Sequence, residues 1–188
     1  MRLRSAVVLW ALGISAPGGH LAAQVTAASQ TSQAWAVDQG TFVVLKGGAP
    51  ALTESFKITR KATGLITATG NQTAGVETTT SSLTTDSLGT PVQYELQVRK
   101  QGALSLKVTG AAAARRFTTR SSAGGVESMR EYPLAAGRSL ILEPSLLHQF
   151  YFLPLPGRDT RIHVLQPGVS RVANNVVVTS KGLDNISV

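Results

Sequence analysis

Nucleophilic, acid–base and metal chemistry all draw on a short list of side chains, and this chain has few of them. Its three histidines are His20, His148 and His163. It has no cysteine, which excludes thiolate nucleophiles, disulfides and Cys-based metal sites. The carboxylates are scattered, and none pair at a spacing suited to general acid–base work. Ser170 sits in PGVSRV, which is not the strained turn of a hydrolase nucleophile. No glycine-rich loop runs from a strand into a helix, so no phosphate cradle is expected. His148 meets Asp159 or His163 only if folding brings them together. Its place in an apolar segment predicts a hydrogen-bonded, partly buried histidine. No catalytic residue, metal or cofactor is assigned, and the chain reads as non-enzymatic.

The densest apolar segment is PSLLHQFYFLPLPG, residues 144–157, in a chain with only five Phe, three Tyr and two Trp. Pro144 suits a first helical turn. Leu146, Leu147, Phe150 and Tyr151 share a helical face, while Pro154, Pro156 and Gly157 stop the run. A short helix over about 145–153 is predicted. It is too short to stand alone, so it must pack on something. Two readings follow: the helix fills a hollow as core, or it lines and gates an apolar cavity.

The elements that must receive it are strands. Val92, Tyr94, Leu96 and Val98 alternate with polar residues, and after KQGA the alternation resumes at Leu104, Leu106 and Val108. This is a β-hairpin with one dry face. RRFTTRSS and VESMREYPL around Gly124-Gly125 form a second hairpin. TFVVLK (41–46), LTESFKIT (52–59), GLITATG (64–70), GVETTTSSLTTD (75–86), RSLILEP (138–144), RIHVLQP (161–167) and VSRVANNVVVTSK (169–181) supply the other strands. The last two flank a Pro167-Gly168 turn. A total of about ten strands at spacings of roughly 8–12 residues marks a mainly β fold. The expected form is an antiparallel curved sheet or incomplete β-barrel with the short helix on its concave face. Ile186 and Val188 look like the beginning of another strand, so either a chain truncated at its C-terminus or a sheet that closes poorly is expected.

The N-terminus reads as an export signal, residues 1–23. Arg2 and Arg4 precede the apolar run Ala6–Ile14, which Pro17 and two glycines break, and cleavage is expected near Ala23. Residues 24–40 are small and polar except for Trp35, and predict a flexible lead-in to a single antiparallel domain over 41–188. No later stretch reaches the ~18 apolar residues of a membrane helix, so no transmembrane segment is expected. The net charge is +8, and loss of Arg2 and Arg4 with the signal leaves +6. That balance favours anionic partners, and export argues against nucleic acid. Arg115, Arg116, Arg120, Arg130 and Arg138 interleave with Glu127 and Glu131. They are read as a solvated face with cross-strand charge pairs.

An export signal, a meander of one-sided strands and a late apolar insert, SLLHQFYFLPLPG, together resemble the periplasmic lipoprotein-carrier-like (LolA/LolB-like) half-barrels of bacteria and related exported domains. The resemblance covers most of residues 41–188 and lies in pattern, not in a motif. It implies an incomplete barrel with an apolar hollow that holds acyl chains or another lipid-like guest. On that basis the hollow is expected to be lined by Tyr94, Leu96, Leu106, Leu147, Phe150 and Tyr151. The alternative is a structural or assembly factor of the cell envelope with no small ligand, acting through protein contacts at strand edges and the Thr-rich 63–85 region.

Overall fold

Alternation with period two explains most of the chain. Strands β1 (Ala34–Lys46), β2 (Ala49–Lys61), β3 (Ile66–Ala74), β4 (Glu77–Thr85), β5 (Pro91–Lys100), β6 (Ala103–Ala113), β7 (Arg116–Ala123) and β8 (Val126–Pro133) form one antiparallel sheet. Each strand pairs with the next in sequence, so the sheet is a pure meander, and it does not close into a barrel. The computed structural model describes residues 33–134, 138–153, 160–169, 175–180 and 186–187. All lie in one compact unit, Thr31–Val188.

Tight glycine turns make the meander possible. Gly124 and Gly125 link β7 to β8 with φ of 56° and 80°, a backbone region closed to most side chains. In β3 and β4 the buried positions alternate strictly with exposed or half-buried ones. The dry face carries Ile58, Ile66, Ala68, Leu83, Tyr94, Leu96, Val108, Phe117 and Tyr132.

A second layer covers that face. Strands β9 (Arg138–Ile141), β10 (Thr160–Leu165), β11 (Asn175–Ser180) and β12 (Ile186–Ser187) form a small sheet in the order β12-β11-β10-β9. Leu140, Ile141, Ile162, Val164 and Leu165 join the dry face of the large sheet in a single core. Between β9 and β10 lies a 3-10 helix, Leu147–Phe152, flanked by buried Leu146 and Leu153. Burial of a side chain such as Phe152 contributes roughly 1.5–3 kcal/mol.

Four sequence expectations are corrected or bounded. Residues 34–40 are not a flexible lead-in: they begin β1, where pairing that runs from Ala34↔Lys61 satisfies a backbone with little side-chain bulk. The β structure is not antiparallel throughout, because β9 and β10 run parallel. The crossover between them contains the helix and is long enough to return the chain in the same direction. The helix winds as 3-10 rather than α, with Leu153 N–H bonded to the Phe150 carbonyl at 3.0 Å. Such short, tight turns suit a segment pinned from both ends. Finally, β11 is described from Asn175, and the export signal expected over residues 1–23 lies outside the described residues.

Candidate functional site

The helix is held by charge as well as by grease. Glu54 sits in mid-β2 on the dry face and is fully buried. Its carboxylate accepts the Leu147 N–H at 2.8 Å and the His148 N–H at 3.1 Å, the free donors of the helix start. The His148 ring also bonds Glu54 through Nδ1, and its Nε2 lies 3.3 Å from Ser81 Oγ on β4. Gln72 of β3 reaches Glu54 at 3.5 Å and donates to the Ser145 carbonyl. Three neighbouring strands thus grip one turn of helix. Burial pushes the Glu54 pKa up, but the His148 side chain, the two backbone N–H groups and the charge of His148 outweigh it and hold it below the ordinary range.

Room for the imidazole comes from β3. A Cβ on Gly70 would lie 2.4 Å from His148 Cε1, so only glycine lets the ring lie against the strand. Gly70→Ala is expected to cost about 1–3 kcal/mol by overpacking, measured by urea unfolding. An unchanged midpoint would show that the ring does not occupy this seat.

Ser81, His148 and Glu54 stand in the order of a hydrolytic triad, linked Oγ to Nε2 and Nδ1 to carboxylate. Catalysis also needs a substrate path and oxyanion donors. Ser81 lies mid-strand and is 7% exposed, and it is not among the residues that line the groove beside the helix. The arrangement works as a latch: it satisfies a buried carboxylate and ties the helix to β2, β3 and β4.

A second buried carboxylate, Glu143, lies four residues before the helix. Glu143 accepts the Gly168 N–H at 2.6 Å, and its own N–H donates to Gln149 Oε1 at 2.7 Å. Burial raises its pKa to about 7, against the opposing pull of the Gly168 amide and the Tyr94 hydroxyl. Burial and the Glu143 charge push the Tyr94 phenol well above its usual value. The Tyr94 hydroxyl and Gln149 Nε2 are buried without a well-aligned partner.

An apolar groove lies elsewhere, at the β1 margin of the large sheet. There Asp38 and Phe42 of β1, Phe56 of β2, and Leu147, His148, Phe150 and Tyr151 of the helix line a groove of about 390 Å³. Phe42 stacks on Phe56 with ring centroids 4.8 Å apart and planes 12° apart. Gly40, paired with Phe56 across the strands, leaves space for that ring. Phe150 and Phe42 are more than a third exposed, so the groove is accessible.

Of the six residues expected to line a hollow, Leu147, Phe150 and Tyr151 come together here. Tyr94 and Leu96 do not: both are core, and Leu96 packs so closely on Gly168 that a Cβ there would lie 2.6 Å from its Cδ2. Leu106 lines a separate hollow of about 190 Å³ with Val126, Pro167 and Val169. The space directly beneath the helix is filled by its own buried residues, His148, Gln149 and Phe152. Asp38, Phe42, Phe56 and Glu54 escaped the sequence reading. Glu54 carried a signal, since period two places it on the face of Leu52, Phe56 and Ile58.

The arginines divide. Arg116 pairs with Glu131 across strands β7 and β8 at an exposed position, as a solvated charged face predicts. Arg138 instead donates to the carbonyls of Leu88, Leu153 and Phe152, fastening β9 to the helix end, and burial lowers its pKa. Among the described residues, no cluster of three or more His, Asp or Glu is placed to hold a metal ion, and no helix is long and apolar enough to cross a membrane. No family model, curated protein or solved structure matches this chain.

Proposed function

We propose that this chain is a non-enzymatic, exported envelope protein that binds an apolar, lipid-like ligand. The observation that carries the reading is the groove between Phe42, Phe56 and the 3-10 helix. Its volume of about 390 Å³ falls in the range of small-molecule sites. It is aromatic, open to solvent, and built against a helix clamped in place, so little ordering cost falls on the ligand. The reading moves the guest from the hollow under the helix to its flank.

Mass spectrometry of lipid extracted from gently purified protein, followed by displacement of an apolar fluorescent probe, tests it. The Phe42→Ala/Phe150→Ala double variant is expected to weaken probe binding roughly tenfold or more, given the apolar area removed. Protein that emerges empty and takes up no probe overturns the reading. So does a double variant that binds like the parent.

A second reading, an assembly factor that acts through protein contacts, is favoured by one observation. β1 is an edge strand, and Val43, Val44 and Leu45 are 52%, 40% and 60% exposed. Such an edge offers unpaired backbone groups to an incoming strand. Register irregularities at Ala36/Asp38 and Val44/Leu45 weigh against it, since bulges are a means of keeping edges unpaired.

A further inference from the structure

The groove has a chemical character beyond being apolar. Four of the chain's ten aromatic residues, Phe42, Phe56, Phe150 and Tyr151, line it. The single carboxylate among its lining residues is Asp38, which is exposed on β1, and no lysine or arginine lines it. His148 lines it too, but both ring nitrogens are engaged, one by Glu54 and one by Ser81. A chain of net charge +8 therefore presents, at its most aromatic opening, one negative charge. Aromatic faces carry negative quadrupole density and attract cations, quaternary ammonium groups above all. A carboxylate at the margin adds a direct Coulomb attraction of the same sign.

We infer that the groove takes a cationic amphiphile, its ammonium head seated among the aromatic rings beside Asp38 and its apolar chain along Leu147 and Phe150. This rests on the reading of the groove as a ligand site and names the class of ligand. The alternatives have clear costs. A carboxylate or phosphate head would meet Asp38 with like charge, and a neutral chain would leave Asp38 without a role. The preference also runs against the net charge of the protein, which by itself attracts anions. A local preference for cations is therefore a property of this groove and not of the surface at large.

Calorimetric titration of the full chain with dodecyltrimethylammonium, laurate and dodecyl maltoside, each below its micellar concentration, tests the inference. The expected order places the cation first. Asp38→Asn is expected to weaken dodecyltrimethylammonium binding about three- to tenfold and leave the maltoside unchanged. Phe150→Leu keeps the bulk but loses the π face, and it should likewise weaken the cation more than the neutral chain. If laurate or the maltoside binds as tightly as the cation, or if both variants shift all three ligands alike, the cation assignment falls and the apolar groove stands. If none of the three binds, both fall. Asp38 and Phe150 are exposed, and circular dichroism with a thermal melt confirms that the variants remain folded.

Discussion

Replacing Glu54 by alanine should lower the unfolding free energy by about 3–5 kcal/mol, the usual cost of removing one partner from a buried, hydrogen-bonded ionisable pair. The side chain is fully buried and serves the Leu147 and His148 amides, the His148 ring and Gln72. Its removal leaves several donors, those of buried His148 and Gln72 among them, without their acceptor, and each unsatisfied buried group carries its own desolvation cost. Urea unfolding with a single probe of tertiary structure measures the loss. Ser81→Ala serves as the comparison. It removes one hydrogen bond of 3.3 Å and should cost only about 1 kcal/mol. If the two substitutions prove equal, the latch does not depend on the carboxylate. If Ser81→Ala abolishes a hydrolytic activity while leaving the fold intact, the three residues are a catalytic unit after all.

Stability should also pass through a maximum in mildly acidic solution and fall on both sides, for two separate reasons. Glu143 has its pKa raised to about 7 in the fold, above the ordinary 4.5. The folded protein therefore holds a proton that the unfolded chain releases between those values. The contribution is complete below pH 4.5 and is lost as pH rises through 7, a change of about 3 kcal/mol. Glu54 acts in the opposite sense. Its pKa is lowered in the fold, so its contribution is present above the ordinary carboxylate range and disappears as pH falls through its folded value.

Glu143→Gln isolates the first arm. An amide carbonyl can still accept the Gly168 N–H, and no charge is left to bury. The variant should melt roughly 6–12 °C higher than the parent at pH 8, at 2–4 °C per kcal/mol for a chain of this size. The gap should shrink toward pH 5. Thermal melts across pH 5–9 are the measurement. A constant offset at every pH would mean that Glu143 does not titrate in this range. Glu143 is not among the residues that line the groove, so binding there should not follow this titration.

The strands were legible because their cause is local. Hairpin β5–β6 is written in the alternation of Val92, Tyr94, Leu96 and Val98 and in the glycine of its turn, and it forms where that pattern requires. Hairpin β7–β8 is equally plain, with Gly124 and Gly125 at positive φ. The proline-bounded helix was legible for the same reason, since its stops lie beside it in sequence. The start of β1 was not. Residues 34–40 have weak strand character of their own and become strand by pairing with β2 up to Lys61. The parallel pairing of β9 with β10 was also hidden, because nothing local marks the direction in which a crossover returns.

The candidate site divides along the same line. Phe150, Tyr151 and Leu147 stood out as an apolar cluster in one short segment, and their cluster is real. Tyr94 and Leu96 looked equivalent to them, since alternation reports which face is dry but not whether that face meets a ligand or the protein's own side chains. That depends on how much of the second layer fits over it, and here Gly168, Glu143 and the helix fill it. Glu54, Gly70, Ser81 and His148 converge across sequence separations of up to 94 residues, and Asp38 with Phe42 reaches Phe150 from the far end of the sheet. The chain's periodicity and punctuation specify a one-sided β meander and a capped apolar insert, because those depend on neighbours a few residues away. The latch and the groove exist only once the meander curls round the insert, because their parts share no local signal and meet through packing alone.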